Sequence, residues 1–564
     1  MSKPLLVQTD GTLLADSEAD DFETVCEKLT EFSRLQETQG QWHKYSLDRL
    51  SLWSASGAGK NPGEIIDWLD SNSKNNLNHD LRRYIENVMN RYGKVRLFPA
   101  EPPPGIKLVF DDSRVKELIE NDELPLPPPR ELGDDYALWS ESERGLLKQY
   151  LAREGWPVVD LVGYKEGTNL PVELDDSEFQ LRDYQKKAVQ AYLEGEKKDG
   201  GSGVILLPCG GGKTIVGLAL MAHYGVNTLI ICTHRTARNQ WKNEILEKTT
   251  VTEEMICEYT GRQKEIKPIT LTTYNMLTYR DEDQNRFVHM DLFDRANWGL
   301  IVYDEVHLLP APVFRATAEI QSRRRLGLTA TLVREDGRET DVFSLIGPRR
   351  YECPWLKLTD RGWISPAVCR EIRVGPADDT RAAYNRAEKR QQHKIAARNP
   401  RKLETIEKLL GIHSEGKILI IGYYLDFLKK ISEKFDLPLI TGETPMEERL
   451  DLYEQFREEE IAGLVLSKVG NYSVDLPNAN VMIQVSGTFG SRQEEAQRLG
   501  RLLRPNPAGN PSLFYTLVTK DTVETDYARR RKLFLLRQGY RYENMGFEEL
   551  DAEALKREPA LCSG

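Results

Sequence analysis

The sequence is short of everything that staples or anchors a chain. Its 564 residues hold seven cysteines (Cys26, Cys209, Cys232, Cys257, Cys353, Cys369 and Cys562), and no two stand at C-x-x-C spacing. That argues against a zinc ribbon or a disulfide framework and fits thiols kept reduced in the cytoplasm. Long apolar runs are missing too. The opening MSKPLLVQTDGTLL has too short an apolar part for a signal peptide, and no stretch nears the ~20 residues of a membrane span. Positive charge is not in excess: 77 Lys and Arg against 88 Asp and Glu leave a formal net charge of -11. Bulk attraction to nucleic acid is therefore excluded, whereas a local basic track is not. A chain of this length exceeds one core, so the expectation is a cytoplasmic protein of several domains with no membrane partner.

Proline supplies the punctuation. PAEPPPG (Pro99 to Gly105) and PLPPPR (Pro125 to Arg130) continue neither a helix nor a central strand and read as linkers. Ahead of them lie helical patterns such as GEIIDWLDS and DLRRYIENVMNRYG. From about Phe179 the texture changes to short β-branched runs alternating with amphipathic stretches: GVILL, TLIIC, PITLTTY and WGLIVYDE, then KILIIG, AGLVLS, VMIQVS and LFYTLV. Such runs read as βα units around buried parallel sheets. A polar stretch, GPADDTRAAYNRAEKRQQHKIAARNPRK, divides the two groups. The expected fold is α/β: two lobes with parallel sheets, an N-terminal mixed or helical domain, and a small insertion.

Two glycine–lysine patches compete for a phosphate-binding role. Gly210, Gly211, Gly212, Lys213 and Thr214 follow the strand-like GVILL and precede the helical TIVGLALMAHYG. Strand, glycine loop and helix N-terminus together present free N–H groups and the helix dipole to an anion. Lys213 would reach the outer phosphates and Thr214 would bind Mg²⁺, although Leu207 stands at the first glycine of the strict pattern. The other patch, within SASGAGKN (Ser54 to Asn61), has Asn61 for the hydroxyl and Pro62 where the helix should begin, so Gly57 to Lys60 read as a loop in the first domain.

An acid pair follows the apolar run in WGLIVYDEVH. Asp304 suits the metal of a phosphoryl-transfer site and Glu305 the positioning of water. His307 is open between a coupling role and a structural one. Thr329 and Thr331 of LGLTATLVREDG are small hydroxyls at a strand end, suited to linking the nucleotide to whatever moves. In QEEAQRLGRLLRP, Arg498, Arg501 and Arg504 share a helix face. They are either a solvated basic face or, for Arg501 and Arg504, fingers reaching the γ-phosphate from the second lobe, worth roughly 10³–10⁵ in rate.

Taken in order, these motifs resemble a superfamily 2 helicase. FQLRDYQKKAV is similar to the Q-motif region, PCGGGKT to motif I, CTHRTARNQW to motif Ia, DEVH to motif II, TAT to motif III, SKVGNYSVDLP to motif V and QRLGRLLR to motif VI. RLGLTATLVREDG, with Arg334, Glu335 and Asp336, resembles the RED motif of the XPB family. DLPNANVMIQVSGTFGSRQEEAQRLGRLLRP and HKYSLDRLSLWSASGAG also resemble that family, closest to its bacterial members. The resemblance implies RecA-like lobes at 175–352 and 353–547, an N-terminal XPB-like domain at 1–104, an accessory segment at 105–174 in the damage-recognition position, and a tail at 548–564. A thumb-like insertion is expected at about 376–401, with Arg386, Lys389, Arg390 and Lys394 as its basic face.

What the resemblance implies is ATP- and Mg²⁺-dependent DNA translocation with 3′-to-5′ polarity, opening duplex DNA in repair. Arg182 and Gln185 would contact adenine, and Pro208 and Cys209 complete the phosphate loop. Gln497, Arg501 and Arg504 would face Lys213, Thr214, Asp304 and Glu305 across the cleft. Arg235, Thr273, Lys468, Arg390 and Lys394 would touch DNA phosphates, with Thr329 and Thr331 coupling the two sites. Arg334 and Asp336 are open between an ion pair within a lobe and a role at the strand fork. The expected partners are single-stranded and forked duplex DNA and a nuclease or repair protein. Three rivals remain: a duplex translocase that unwinds little, an ATP-switched scaffold for a nuclease or repair partner, and a small-molecule kinase. RNA as the track has no short signature to set it apart.

Overall fold

The computed structural model describes residues 3–39, 41–100, 105–121, 123–140, 143–162, 166–175, 177, 179–199, 201–208, 210–280, 288–293, 295–309, 322, 324–330, 339–353, 358–359, 363, 367–414, 416–467, 479–487, 512–537 and 542–551. Their strands assemble into four sheets. The chain divides into two compact units, Met1–Pro208 with Gly212–Cys353 and Pro354–Gly564 with Cys209–Gly211. Among the described residues no helix is long and apolar enough to cross a membrane.

The first sheet is antiparallel, in the order β1 (Leu5–Val7), β2 (Thr12–Asp16), β4 (Trp42–Ser46), β3 (Arg34–Gln39). Helices Arg49–Gly57, Pro62–Asn72 and His79–Met89 accompany it, each started by a polar cap: Asp48, Asn61 and Asn78 accept from the N–H three residues on. The second glycine patch is a loop, as expected: past Gly57, the last residue of its helix, Ala58 to Asn61 lie in no helix or strand. Ser54 to Gly57 end one helix, and Pro62 opens the next at its first position, where a missing N–H costs nothing. Lys60 is bound to Glu31 at 2.9 Å rather than waiting for phosphate.

His43 on β4 packs edge-on against Phe22, 4.7 Å between ring centres, and burial pushes its pKa down to about 4. The unfolded chain takes up this proton near pH 6.5, while the folded one resists until about pH 4. Stability is therefore complete above pH 6.5 and lost as pH falls across that window, by at most about 3 kcal/mol. His43→Gln should flatten part of the fall in melting temperature between pH 7 and pH 5; an identical fall in both proteins refutes this origin.

The second sheet runs β7 (Glu131–Leu132), β8 (Tyr136–Ser140), β6 (Gly105–Phe110), β5 (Val95–Ala100), β9 (Val158–Asp160). It overturns the linker reading of the first proline stretch. β5 and β6 pair antiparallel from Val95↔Phe110 to Ala100↔Gly105, with Pro99 in the ladder opposite Ile106. The expected boundary at 104/105 thus falls inside one sheet. Alternating Val95, Leu97, Ile106, Leu108 and Phe110, all buried, outweigh the proline signal.

The third sheet is parallel in every pairing, in the order β12 (Ile256–Glu258), β13 (Ile269–Thr273), β11 (Thr228–Cys232), β14 (Leu300–Asp304), β15 (Arg324–Thr329), β10 (Ser202–Leu206), β16 (Arg349–Glu352). Its central strands are covered on both faces, which is why they read as unbroken apolar runs: Leu229, Ile230, Ile231, Leu300 and Ile301 are fully buried. Arg350 of β16 donates to Ser202 O at 2.8 and 3.0 Å and to Gly57 O at 3.1 Å, tying the N-terminal helices to the phosphate-loop strand.

The second unit holds the fourth sheet, again all parallel: β19 (Leu439–Ile440), β20 (Gly463–Leu466), β18 (Ile418–Ile421), β21 (Val481–Gln484), β22 (Ser512–Thr519), β17 (Ala367–Val374), β23 (Tyr542–Gly546). After β17 come two helices, Asp378–Arg386 and Lys389–Ala397, where the insertion is expected. They are rooted on the strand ends. Tyr384 Oη accepts from Val523 N at 2.9 Å, Thr519 Oγ1 donates to Ala396 O at 2.8 Å, and Asn399 Nδ2 donates to Gly375 O at 2.9 Å.

Candidate functional site

The three neighbouring strands β14, β15 and β10 end at the same edge of the third sheet, with Asp304↔Leu328 and Leu206↔Thr329 in register. This brings the acid pair, Thr329 and the glycine loop together at the carboxyl end of a parallel sheet, the usual place for a ligand in this kind of fold. Past β10 the chain turns through Pro208, Gly210, Gly211 and Gly212 into the helix Lys213–Tyr224. Gly210 and Gly212 have φ of +78° and +76°, a conformation that favours glycine. A Cβ at Gly212 would also stand 2.3 Å from Gln185 Nε2. Gln185, buried in the first turn of the helix Asp183–Asp199, therefore lies directly against the loop, and its Oε1 accepts from Arg182 N at 2.9 Å.

Lys213 Nζ stands 3.1 Å from Glu305 Oε1. Glu305 adopts a left-handed conformation, φ 49°, unusual for a residue with a side chain. Its other oxygen meets Thr329 Oγ1 at 3.4 Å and His307 Nδ1 at 3.4 Å, and His307 Nδ1 and Thr329 Oγ1 are 2.5 Å apart. This geometry links motif II to motif III directly. His307, 4% exposed and held by Thr329, fits both roles left open for it, coupling and structural.

The two carboxyls of the pair differ. Burial, then the neighbouring charge of Glu305, pushes Asp304 up to about 7. For Glu305 burial works in the same direction, but the charges of Lys213 and His307 outweigh it and hold the carboxyl below the usual range. A cation at Asp304 would restore its charged form. A hydroxyl (Thr214) and a carboxylate (Asp304) are hard oxygen donors, which suits Mg²⁺ shared with substrate phosphates and water rather than caged by protein. Among the described residues no group of three or more His, Cys, Asp or Glu side chains is placed to hold a metal ion.

Sequence reasoning missed two supports of Asp304. Trp241, on the helix Arg235–Lys248, donates its indole N–H to Asp304 Oδ2 at 3.2 Å, and Tyr274 donates its hydroxyl to Asp304 O at 2.9 Å. The signal lay in Gly217, one turn into the phosphate-loop helix: a Cβ there would meet the Trp241 ring at 2.5 Å.

The other expected residues are scattered. Arg235 is exposed at the first position of its helix, and Thr273 ends β13, its hydroxyl accepting from Met276 N. β11 and β13 are adjacent, so both stand at the same sheet edge as the loop. Lys394 is exposed on the helix Lys389–Ala397, which also carries Arg390. Cys209, Thr331, Arg334, Glu335, Asp336, Lys468, Gln497, Arg501 and Arg504 lie outside the described residues.

Residues 358–556 match the model of the ERCC3/RAD25/XPB C-terminal helicase, residues 178–334 that of the type III restriction enzyme res subunit, and residues 5–122 that of a helicase conserved C-terminal domain. The DNA 3′-5′ helicase XPB of Mycobacterium tuberculosis is 44% identical over 540 residues, 96% of this chain and 97% of that protein. The protein of the same name from Kineococcus radiotolerans is 44% identical, covering 97% of each chain. The general transcription and DNA repair factor IIH helicase/translocase subunit XPB of Encephalitozoon cuniculi is 33% identical across 96% of this chain and 82% of its own length. With near-complete relatives at this identity and the site built from the motifs in their expected order, the chain belongs to the XPB family of superfamily 2 helicases.

Proposed function

We infer that the chain is an ATP-dependent 3′-to-5′ DNA helicase of the XPB type that opens duplex DNA, with DNA repair as its setting and the cytoplasm as its compartment. The observation that carries the reading is the contact set Lys213–Glu305–Thr329–His307, in which the phosphate-loop lysine rests on the acid that must orient water. ATP entering the loop gives Lys213 a stronger partner, the β- and γ-phosphates. Glu305 is then released to hold the attacking water, and Thr329 and His307 sense its change of partner. Mg²⁺ held by Thr214 and Asp304 would neutralise charge on the phosphates as the bond breaks. Gln185, against Gly212, and Arg182 border the adenine side.

Arg501 and Arg504, with Gln497, are proposed as the second wall, and Arg334, Glu335 and Asp336 as the fork element. Arg235, Thr273, Arg390, Lys394 and Lys468 are proposed as phosphate contacts along the strand, and Thr331 shares the coupling role of Thr329. Such contacts are indifferent to sequence and weaken with salt. A nuclease or repair protein is the proposed partner.

The test is ATP turnover with no DNA, single-stranded DNA and duplex DNA, beside strand displacement on a forked duplex. DNA should stimulate turnover and Lys213→Ala should abolish it. Turnover indifferent to DNA refutes a motor and favours a switched scaffold. Triplex displacement without strand displacement makes the protein a duplex translocase.

A further inference from the structure

The second unit buries an ion pair that packing alone does not call for. Lys402, in the first turn of the helix Arg401–Ile412, and Glu524, in the first turn of Val523–Arg537, are 0% and 4% exposed. Lys402 Nζ donates to the two Glu524 oxygens at 2.9 and 2.8 Å and to Val485 O at 2.8 Å. A buried pair of this kind adds little stability over apolar side chains of the same volume, and a lysine in a first turn faces the positive end of the helix dipole. What the pair does fix is position. Val485 directly follows β21, and the next two residues are held as well. Ser486 Oγ accepts from Tyr423 N at 2.8 Å, and a Cβ at Gly487 would stand 2.4 Å from Cζ of the buried Arg531. From this clamp the sequence runs on to Gln497, Arg501 and Arg504.

The same pair is bonded to the insertion. Glu524 Oε2 accepts from Thr519 N at 2.9 Å, and Thr519 Oγ1 donates to Ala396 O at 2.8 Å. One turn earlier on that helix, His393 is 2% exposed; its Nδ1 stands 2.8 Å from Tyr424 Oη and its ring lies edge-on to Tyr527 at 5.3 Å. Tyr424 neighbours Tyr423, which holds Ser486. Two routes therefore lead from the inner face of the helix Lys389–Ala397 to the clamp: Ala396–Thr519–Glu524–Lys402–Val485, and His393–Tyr424–Tyr423–Ser486. The outer face of the same helix presents Lys389 and Lys394 to solvent. Thr519, Glu524 and Lys402 are all buried, so no water stands ready to replace their bonds when the helix is pulled.

We propose that Lys402, Glu524, Thr519 and His393 are positioning residues for ATP hydrolysis: they tie strand contact on the insertion to the course of the chain leaving β21 for its arginines, so that bound DNA raises turnover. The proposal rests on the motor reading and deepens it by naming a route between track and chemistry. None of the four belongs to the residues assigned to ATP or to the strand.

The test is the full-length double variant Thr519→Val/His393→Phe, which keeps both shapes and the Thr519 N–H but cuts both routes at the insertion. ATP turnover is measured without DNA and at saturating single-stranded DNA, with DNA affinity by fluorescence anisotropy and melting temperature alongside. The expected result is DNA-stimulated kcat lower by about tenfold, with DNA-free turnover, DNA Kd and melting temperature close to the wild type. Thr519→Val alone should lose part of the stimulation and Thr519→Ser, which keeps the hydroxyl, should retain it; this pair answers the question even where the double variant does not fold. Full stimulation in Thr519→Val and in the double variant overturns the proposal. So does a loss of turnover by the same factor with and without DNA, which marks a structural role, and so does a weaker DNA Kd with kcat intact, which makes these residues part of the grip alone. A wild type whose turnover ignores DNA sinks the motor reading itself, a result separable from a variant that is stimulated as the wild type is.

Discussion

Glu305→Gln is expected to lower DNA-stimulated ATP turnover by roughly 10²–10⁴ while leaving ATP binding within a fewfold of the wild type. Glutamine keeps the size of the side chain and can still accept from Lys213, so the loop and the helix Lys213–Tyr224 should hold their places. What it loses is the negative oxygen proposed to orient and deprotonate water. The strained φ of 49° fixes this oxygen beside Lys213, His307 and Thr329, so a neighbouring acid cannot stand in for it. Asp304 is a poor substitute, since burial favours its protonated form until a cation arrives. Single-turnover hydrolysis with labelled ATP separates the two quantities. Turnover within tenfold of the wild type, at unchanged ATP affinity, would remove Glu305 from the chemistry.

Asp160→Asn should be the most destabilising single change in the second sheet, by about 3–5 kcal/mol. Asp160 accepts from Arg144 Nε and Nη2 and from Lys148 Nζ, the shortest contacts being 2.8 Å, and all three side chains are buried. Removing the carboxylate leaves two buried cations facing each other. Burial already lowers Lys148 to about 7 despite the pull of Asp160, and without that pull it must fall further. The sign with pH follows. A lysine depressed in the folded state makes the unfolded chain bind more protons, so stability rises with pH above the folded pKa. In the variant that rise begins below pH 7, where the wild type is still flat. The deficit therefore narrows as pH climbs to about 7 and is constant above. Chemical denaturation at pH 6 and pH 8 measures it; a loss below about 1 kcal/mol at pH 6, or a deficit that grows with pH, contradicts the account.

Much of the site is legible in the chain's local patterns. The loop at Gly210–Thr214 is a strand–glycine–helix pattern within a dozen residues, and Asp304–Glu305 follow the four apolar residues Leu300 to Tyr303. Each signal is local, so periodicity and composition capture it. The eight apolar runs of the two lobes all coincide with strands. The six lobe strands outside those runs are short, polar or charged: β12 and β19, with three and two residues, β15, β16 and β17, which carry arginines (Arg325, Arg350 and Arg370 buried among them), and the polar β23. Proline misleads at Pro99, because a ladder position near the end of a hairpin tolerates a residue without an N–H when the alternating face is well buried.

By itself, then, the sequence determined the candidates: which backbone turn has the form of a phosphate loop, which acids follow a buried strand, and that two parallel sheets carry the lobes. Tertiary structure alone decided who meets whom. Strand order places β15 between β14 and β10, so Thr329 lies between acids and a loop some hundred residues apart in the chain, and Trp241 reaches Asp304 only because Gly217 leaves room. The meeting of Arg49 and Arg91 at Gly155, and of Arg91 and Arg114 over the Trp156 ring, has no sequence period at all. Local preference is set by neighbours along the chain, but convergence of distant side chains is set by how buried faces pack, and no short window contains that information.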